Sequence, residues 1–262
     1  MSGLNFLLSG GPVRRALAVP VHSLIWSRRL FGGRSDVPEM QLLDLMEMRG
    51  RVAVDVGAHS GNWTVNLAGR VGAEGTVIAY EALPHYGRSL AMSLRLLRIK
   101  NARVRTVAVG DSRRMMSLRW RSDDNQLLTG RTHIDPAAKT SPGVVEIQMV
   151  PLDDDLRALG IDPHDVAFMK IDVEGAELEV LKGASDLLSI GRPAVYLETE
   201  PEWIERMGHS VEDVFEHMAG FGYDPHLVSE SGPMRTTADE YLRQYASTRQ
   251  YNNVLFLASK QM

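Results

Sequence analysis

Asp55, Gly57, His59 and Gly61 lie together in AVDVGAHSG, residues 53–61, where an apolar β-branched run gives way to small residues. In an open α/β sheet, ligands bind beyond the carboxyl ends of the strands, where the next helix presents unpaired N–H groups. Gly57 and Gly61 let the main chain come close to such a ligand, and Asp55 can accept hydrogen bonds from an amine or a water. A tight strand-to-helix turn would want the same glycines, so the turn alone does not decide the matter. The next strand ends in Glu81, 20 residues beyond Gly61, at the spacing of a carboxylate that grips both hydroxyls of a ribose. Ala58 and Ala82, the small neighbours of Gly57 and Glu81, are counted in the same binding surface. Together these residues predict a nucleoside cofactor.

A pyrophosphate binder wants G-x-G-x-x-G at this turn, and a triphosphate binder wants G-x-x-x-x-G-K-[ST]; the turn has neither, and position 59 is a histidine. Asp55 suits an ammonium better than a phosphate. S-adenosylmethionine matches best, with its amino acid at the first turn, its ribose at Glu81 and its adenine near VAVGD, residues 107–111. Asp111 is read either as acceptor of the adenine amino group or as the cap of the next segment.

KIDVEGAE, residues 170–177, puts Asp172 at a strand end and Glu174 two residues on. Methyl transfer from a sulfonium needs an aligned acceptor and little water, and an alcohol acceptor also needs a general base. Asp172 and Glu174 are the candidates; each has a structural alternative, Asp172 as a helix cap and Glu174 as a solvated first-turn acid. His59 is a third candidate base or a hydrogen-bonding spacer, and His133 is a remote fourth. Lys170 reads as a strand-end contact, and Trp63 is expected to pack under the cofactor loop. The acids Asp172, Glu174, Glu198 and Glu200 raise the thought of a divalent ion, but acids at strand ends are common without one, so no metal ligand is assigned. Asp153, Asp154 and Asp155 are expected to cap the helix LRALG.

These groups need a scaffold, and the hydropathy pattern describes one. RVAVDV, TVIAYE, ARVRTVAV, VAFMKID and PAVYLET are short β-branched runs. Between them, segments such as residues 84–98 and 175–189 have helical spacing, which predicts a parallel sheet with helices on both faces. EMQLLDLMEM, residues 39–48, also has helical spacing. MMSLRW and VVEIQMV read as a strand pair around a long polar loop, making residues 112–150 a hairpin-like lid or acceptor insertion. YDPHLVS and NNVLFLASK predict an antiparallel final pair.

A net charge of -4 over 262 residues supplies no basic field for nucleic acid, and the absence of cysteine removes disulfides and thiolate chemistry. The apolar run near the N-terminus is about half the ~20 residues that span a bilayer. Residues 1–36 form a basic arm, with Arg14, Arg15, Arg28, Arg29 and Arg34 among apolar residues. It is read either as a leading helix or as a peripheral contact with an anionic membrane surface. A cytoplasmic protein, or one held peripherally at the inner face of the membrane, is the expectation; the oligomeric state is open. The rival readings are a nicotinamide-dependent oxidoreductase and a non-catalytic membrane-docking scaffold.

VAVDVGAHSG, VIAYEALP, VAVGD, PLDDDL, FMKIDVEGAELEVLKGA and RPAVYLETE, in this order over about residues 51–200, resemble the FkbM-type class I methyltransferases. KIDVEGAE is the most specific of them. The resemblance implies a Rossmann-like, mostly parallel seven-stranded sheet with its last strand antiparallel, and S-adenosylmethionine as methyl donor. For the acceptor it implies a hydroxyl on a sugar, a lipid-linked glycan or a polyketide. The chain departs from the family pattern at His59, where asparagine is usual, and at Ala82-Leu83-Pro84, where the pattern is E-P-x-P. Substrate identity is expected to lie in the arm and in residues 112–150.

Overall fold

The computed structural model describes residues 42–120, 133–134, 143–229, 232–248 and 253–259. The basic arm, most of the polar loop after residue 120 and the side chain of His133 lie outside the described residues.

The five apolar runs become strands because their side chains are buried on both faces of one sheet. They are β1 (Val52–Val56), β2 (Thr76–Tyr80), β3 (Ala102–Arg105), β8 (Val166–Ile171) and β9 (Ala194–Glu198). All five are parallel, in the order β3-β2-β1-β8-β9. The expected antiparallel end is present: β12 (Asn253–Ala258) runs opposite to both β9 and β10 (Tyr223–Ser229). A hairpin adds β11 (Gly232–Arg235) outside β10, so the sheet has eight strands where seven were expected.

Side chains alternate across the sheet. Val54, Ile78, Met169, Val195 and Phe256 meet α3 (Leu152–Ala158), α4 (Glu177–Lys182), α6 (Val211–Gly220) and α7 (Ala238–Thr248) on one face. On the other, Ala53, Val77, Phe168 and Leu255 meet Leu67 and Val71 of α1 (Asn62–Val71). α2 (Pro84–Leu96) packs beside α1 through Leu90 and Leu94, and α5 (Pro201–Arg206) follows β9.

Several expectations need correction. Residues 102–109 are not one strand. After β3 the chain leaves the sheet, and β4 (Ala108–Val109) joins a second sheet beside β7 (Val144–Val150), which pairs with β5 (Arg114–Arg119). β6 (His133–Ile134) continues that sheet, so the predicted strand pair exists. Residues 175–189 are not one helix either. α4 stops before Gly183, whose Cβ would stand 2.0 Å from the Gly110 carbonyl oxygen, so the chain turns there.

The three aspartates do not cap their own helix, since α3 starts after Pro151 with no side-chain cap. Asp153 accepts the N–H groups of Asp186 and Leu187, Asp154 pairs with Arg157, and Asp155 is buried beneath Arg105 and Tyr80. Trp63 packs over Phe168 and Tyr196, at ring distances of 6.2 and 5.1 Å, on the body of the sheet and not under the turn. Of residues 39–48, the described part holds a 3-10 turn at Leu43–Leu45. Among the described residues no helix is long and apolar enough to cross a membrane.

Candidate active site

A cavity of about 340 Å³ opens at the carboxyl ends of β1, β2, β8 and β9, where the order of connections reverses about β1. Val107, Ala108 and Val109 form one wall with Met116, Leu118 and Met149 of the hairpin sheet; Gly57, His59, Glu81 and Ala82 form another; Asp172, Glu174 and Glu198 close the far end.

The turn is built by contacts within the protein. Gly57 has φ 79°, and a Cβ on it would lie 1.8 Å from the Asp172 carbonyl oxygen. The N–H groups of Gly57 and Ala58 both donate to the Tyr80 carbonyl, at 3.0 and 2.9 Å, which ties the turn to β2. Gly61, at φ 88°, is required by α2, because its Cβ would sit 2.2 Å from Leu90 Cδ1. Gly57 therefore lines the cavity, while Ala58 and Gly61 shape the turn from behind.

Asp55 is fully buried below the turn: its Oδ2 accepts from Thr64 Oγ1 at 2.5 Å, and its Oδ1 lies 3.8 Å from Lys170 Nζ. Burial raises its pKa, against the opposing charge of Lys170. It supports the site without lining it. Asp111 also stands apart, paired at the surface with Arg114 and Ser112.

Glu81 is where the spacing argument put it. Oε2 accepts the His59 N–H and Oε1 the Leu83 N–H, each at 2.8 Å, and each oxygen keeps a second lone pair. Burial pushes its pKa up to about 7 despite these two bonds. His59 has φ 45° and its ring lies 4.6 Å from that of Tyr86. Burial lowers its pKa against the pull of Asp172, so the imidazole is neutral.

Asp172, Glu174 and Glu198 each bring a carboxylate oxygen within 4.8 Å of the others. Glu200, two residues further on, lies outside this group, at the N-cap of α5. Asp172 hydrogen-bonds to Glu198, and its Oδ2 lies 3.0 Å from Lys170 Nζ. Burial would raise the Asp172 pKa, but Lys170 and the Glu198 hydrogen bond outweigh it and hold the carboxyl below its usual range. Glu198 responds in the opposite direction: burial and the charge of Asp172 push it up to about 10. At neutral pH the pair thus holds one proton, on Glu198. Three hard oxygens could serve a divalent ion, but a protein ammonium already supplies positive charge here, and no metal ligand is assigned.

Two residues of KIDVEGAE have roles that spacing did not reveal. Glu177 is buried, and its Oε1 accepts the N–H groups of Val173 and Gly175 at 3.0 and 3.1 Å. That clamp holds Glu174 at φ 59°, a left-handed conformation that non-glycine residues keep only where the surroundings impose it. Lys170 is buried and donates to the Gly57 carbonyl at 3.1 Å. The positive φ of His59 and Glu174 marks both sides of the cavity.

The sheet order, with antiparallel β12 between β9 and β10 and a cavity over the switch point, is that of a Rossmann-like class I methyltransferase fold. The chain belongs to the FkbM methyltransferase family: the Methyltransferase FkbM domain matches residues 55–225, which include the 112–150 segment. Among solved structures it is similar to the methyltransferase FkbM of Methylobacillus flagellatus KT, at 17% identity and a TM-score of 0.49, over 83% of this chain and 50% of that one. The chain thus spans about half the length of that protein. It is also similar to a SAM-dependent methyltransferase of Aquifex aeolicus, at 16% identity and a TM-score of 0.45, over 84% and 88% of the two chains. A Streptococcus mutans protein solved in complex with SAH matches at 10% identity and a TM-score of 0.47, over 84% and 94%. No curated protein sequence matches the chain.

Proposed function

We propose that the protein transfers a methyl group from S-adenosylmethionine to a hydroxyl of a sugar, a glycolipid or a polyketide-type natural product. The observation that carries this reading is the cavity itself, with Glu81 at the end of β2 facing the Asp172, Glu174 and Glu198 acids across the strand ends.

When bound, the donor supplies a methyl group activated on a sulfonium. Glu81 would hold the ribose diol, the turn at residues 57–59 the amino-acid end, and Val107–Val109 with Met149 would cover the adenine. Asp172, ionised at neutral pH, is placed to take the proton that an alcohol loses as its oxygen gains the methyl group, whereas Glu198 already carries one. Glu174 is the second group at that lip. The described lining contains no lysine or arginine, which favours an uncharged acceptor over a phosphate or carboxylate.

Methyl-labelled donor, purified protein and a fractionated extract test this reading. The expected label is stable to alkali, as an ether is; alkali-labile label would mark a carboxyl ester and overturn the hydroxyl assignment. Thermal protection by NAD with none from S-adenosylmethionine would favour a nicotinamide enzyme instead.

A further inference from the structure

Lys170 occupies the joint between the two halves of the cavity without lining it. Its side chain is 4% exposed, yet its ammonium reaches three elements: the Gly57 carbonyl in the first turn at 3.1 Å, Asp172 Oδ2 at 3.0 Å and Asp55 Oδ1 at 3.8 Å. Register explains this reach. Asp55 and Lys170 are direct partners across β1 and β8, so both side chains leave the same face of the sheet at its carboxyl end. Gly57 has no Cβ, and its Cα presses against the main chain of residue 172, which brings both acceptors of the ammonium together.

We propose that Lys170 is a positioning residue: its ammonium fixes the donor-side turn and the acceptor-side Asp172 carboxylate to each other, so that the two halves of the site form one rigid unit. The inference deepens the methyl-transfer reading and rests on it for the names of the two sides. A buried ammonium is stable only with its charge matched, and here Asp55 and Asp172 match it. Without it, Asp172 would face Asp55 from β1, Glu174 and Glu177 from its own loop and Glu198 from β9, with Glu81 of β2 beside the same cavity, and neutral His59 is the histidine that acts on it among the described residues. That crowd of acids would take up a further proton, and the Gly57 carbonyl would lose its donor.

The test compares the full-length protein with Lys170→Met and Lys170→Arg, using S-adenosylmethionine as the calorimetric probe. In the Met variant, donor affinity is expected to fall about tenfold or more, and its change between about pH 6 and pH 8 is expected to be steeper than the rise that wild type shows over the same range. Arginine keeps the charge and is expected to restore a large part of the loss, which a purely space-filling role would not predict. A folded Met variant that binds the donor within about twofold of wild type at both pH values overturns the proposal. If Lys170→Met does not fold, the Lys170→Met/Asp55→Asn variant, which removes the stranded charge, is read by the same criteria. If wild type itself binds no donor, the donor reading fails, and carboxyl NMR of Asp172 then judges Lys170 alone. A midpoint raised by about one pH unit or more in the Met variant supports the positioning role, and an unmoved midpoint ends it.

Discussion

The main-chain N–H of His59 donates to Oε2 of Glu81 at 2.8 Å, so the first turn and the acid of the second strand form one hydrogen-bonded unit. The carboxyl of Glu81 titrates at about 7 because it is buried, and its ionised form is the better acceptor for a diol. Donor affinity in wild type is therefore expected to rise with pH through about 7. Glu81→Ala should lower it about 10- to 100-fold, and Glu81→Gln should remove the pH-dependent rise. Calorimetry across this range checks both; unchanged affinity in the alanine variant would reassign the ribose site.

The sheet was largely readable in the β-branched runs because each strand is buried on both faces, and the helices follow from the change of period between them. Glu81 was readable because spacing along the chain carries it directly to a strand end. What escaped depends on contacts distant in sequence. The Lys170 bond to Gly57 joins residues 113 positions apart, and nothing local distinguishes that lysine from an ordinary strand-end contact. Glu198 and Glu200 are equivalent acids in a run of sequence, but β9 ends at Glu198, and only that residue reaches Asp172. The division of residues 102–109 between two sheets also has no local signal, since Val104 and Val107 are equally suited to either. Gly57 and Gly61 read in the sequence as letting the main chain approach a ligand, with a tight turn as the alternative; the contacts that demand glycine at these positions are with the Asp172 carbonyl and Leu90, both distant in sequence.

Glu177 gives a stability prediction. Burial pushes its pKa from 4.5 to about 7 although Oε1 accepts two N–H groups. The folded state therefore holds this proton more tightly than the unfolded chain does. The associated stability is complete below the ordinary value and is lost as pH rises through about 7, a loss on the order of 3 kcal/mol. Glu81 acts with the same sign, whereas His59, lowered from 6.5, weakens the fold on the acid side. From about pH 4.5 to 7.5 the wild-type melting temperature should fall, relative to that of Glu177→Gln, which keeps an acceptor for the same N–H groups, by about 5 °C or more. Parallel slopes for the two proteins would place the titration elsewhere.

The two glycines Gly57 and Gly160 separate conformation from contact. Their φ values are 79° and 73°, but a Cβ on Gly160 meets nothing within 4 Å while one on Gly57 meets the Asp172 carbonyl oxygen at 1.8 Å. Gly160→Ala should cost about 1 kcal/mol, the left-handed penalty alone. Gly57→Ala should cost about 3 kcal/mol or more and lower donor affinity, because β1 and β8 must part to admit the methyl group. Chemical denaturation of both variants checks the difference, and equal losses would show that the joint is soft.

The acid pair separates catalysis from binding. Asp172 is the ionised member because Lys170 lies 3.0 Å away, and Glu198 is the protonated one because Asp172 is charged beside it. Asp172→Asn removes the group that would accept the acceptor's proton, so turnover with labelled donor should fall about 10²- to 10⁴-fold while donor affinity changes far less. Glu198→Gln preserves a hydrogen-bond donor toward Asp172 and should reduce turnover much less. Wild-type turnover is expected to show an alkaline limb near pH 10 as Glu198 releases its proton, and Glu198→Gln should lack it, because an amide has no proton to release. Glu174→Gln distinguishes the remaining candidate: a loss as deep as that of Asp172→Asn would make the lip of the loop the base, and full activity in both Asp172→Asn and Glu174→Gln would remove the acids from the proton-transfer step and leave His59.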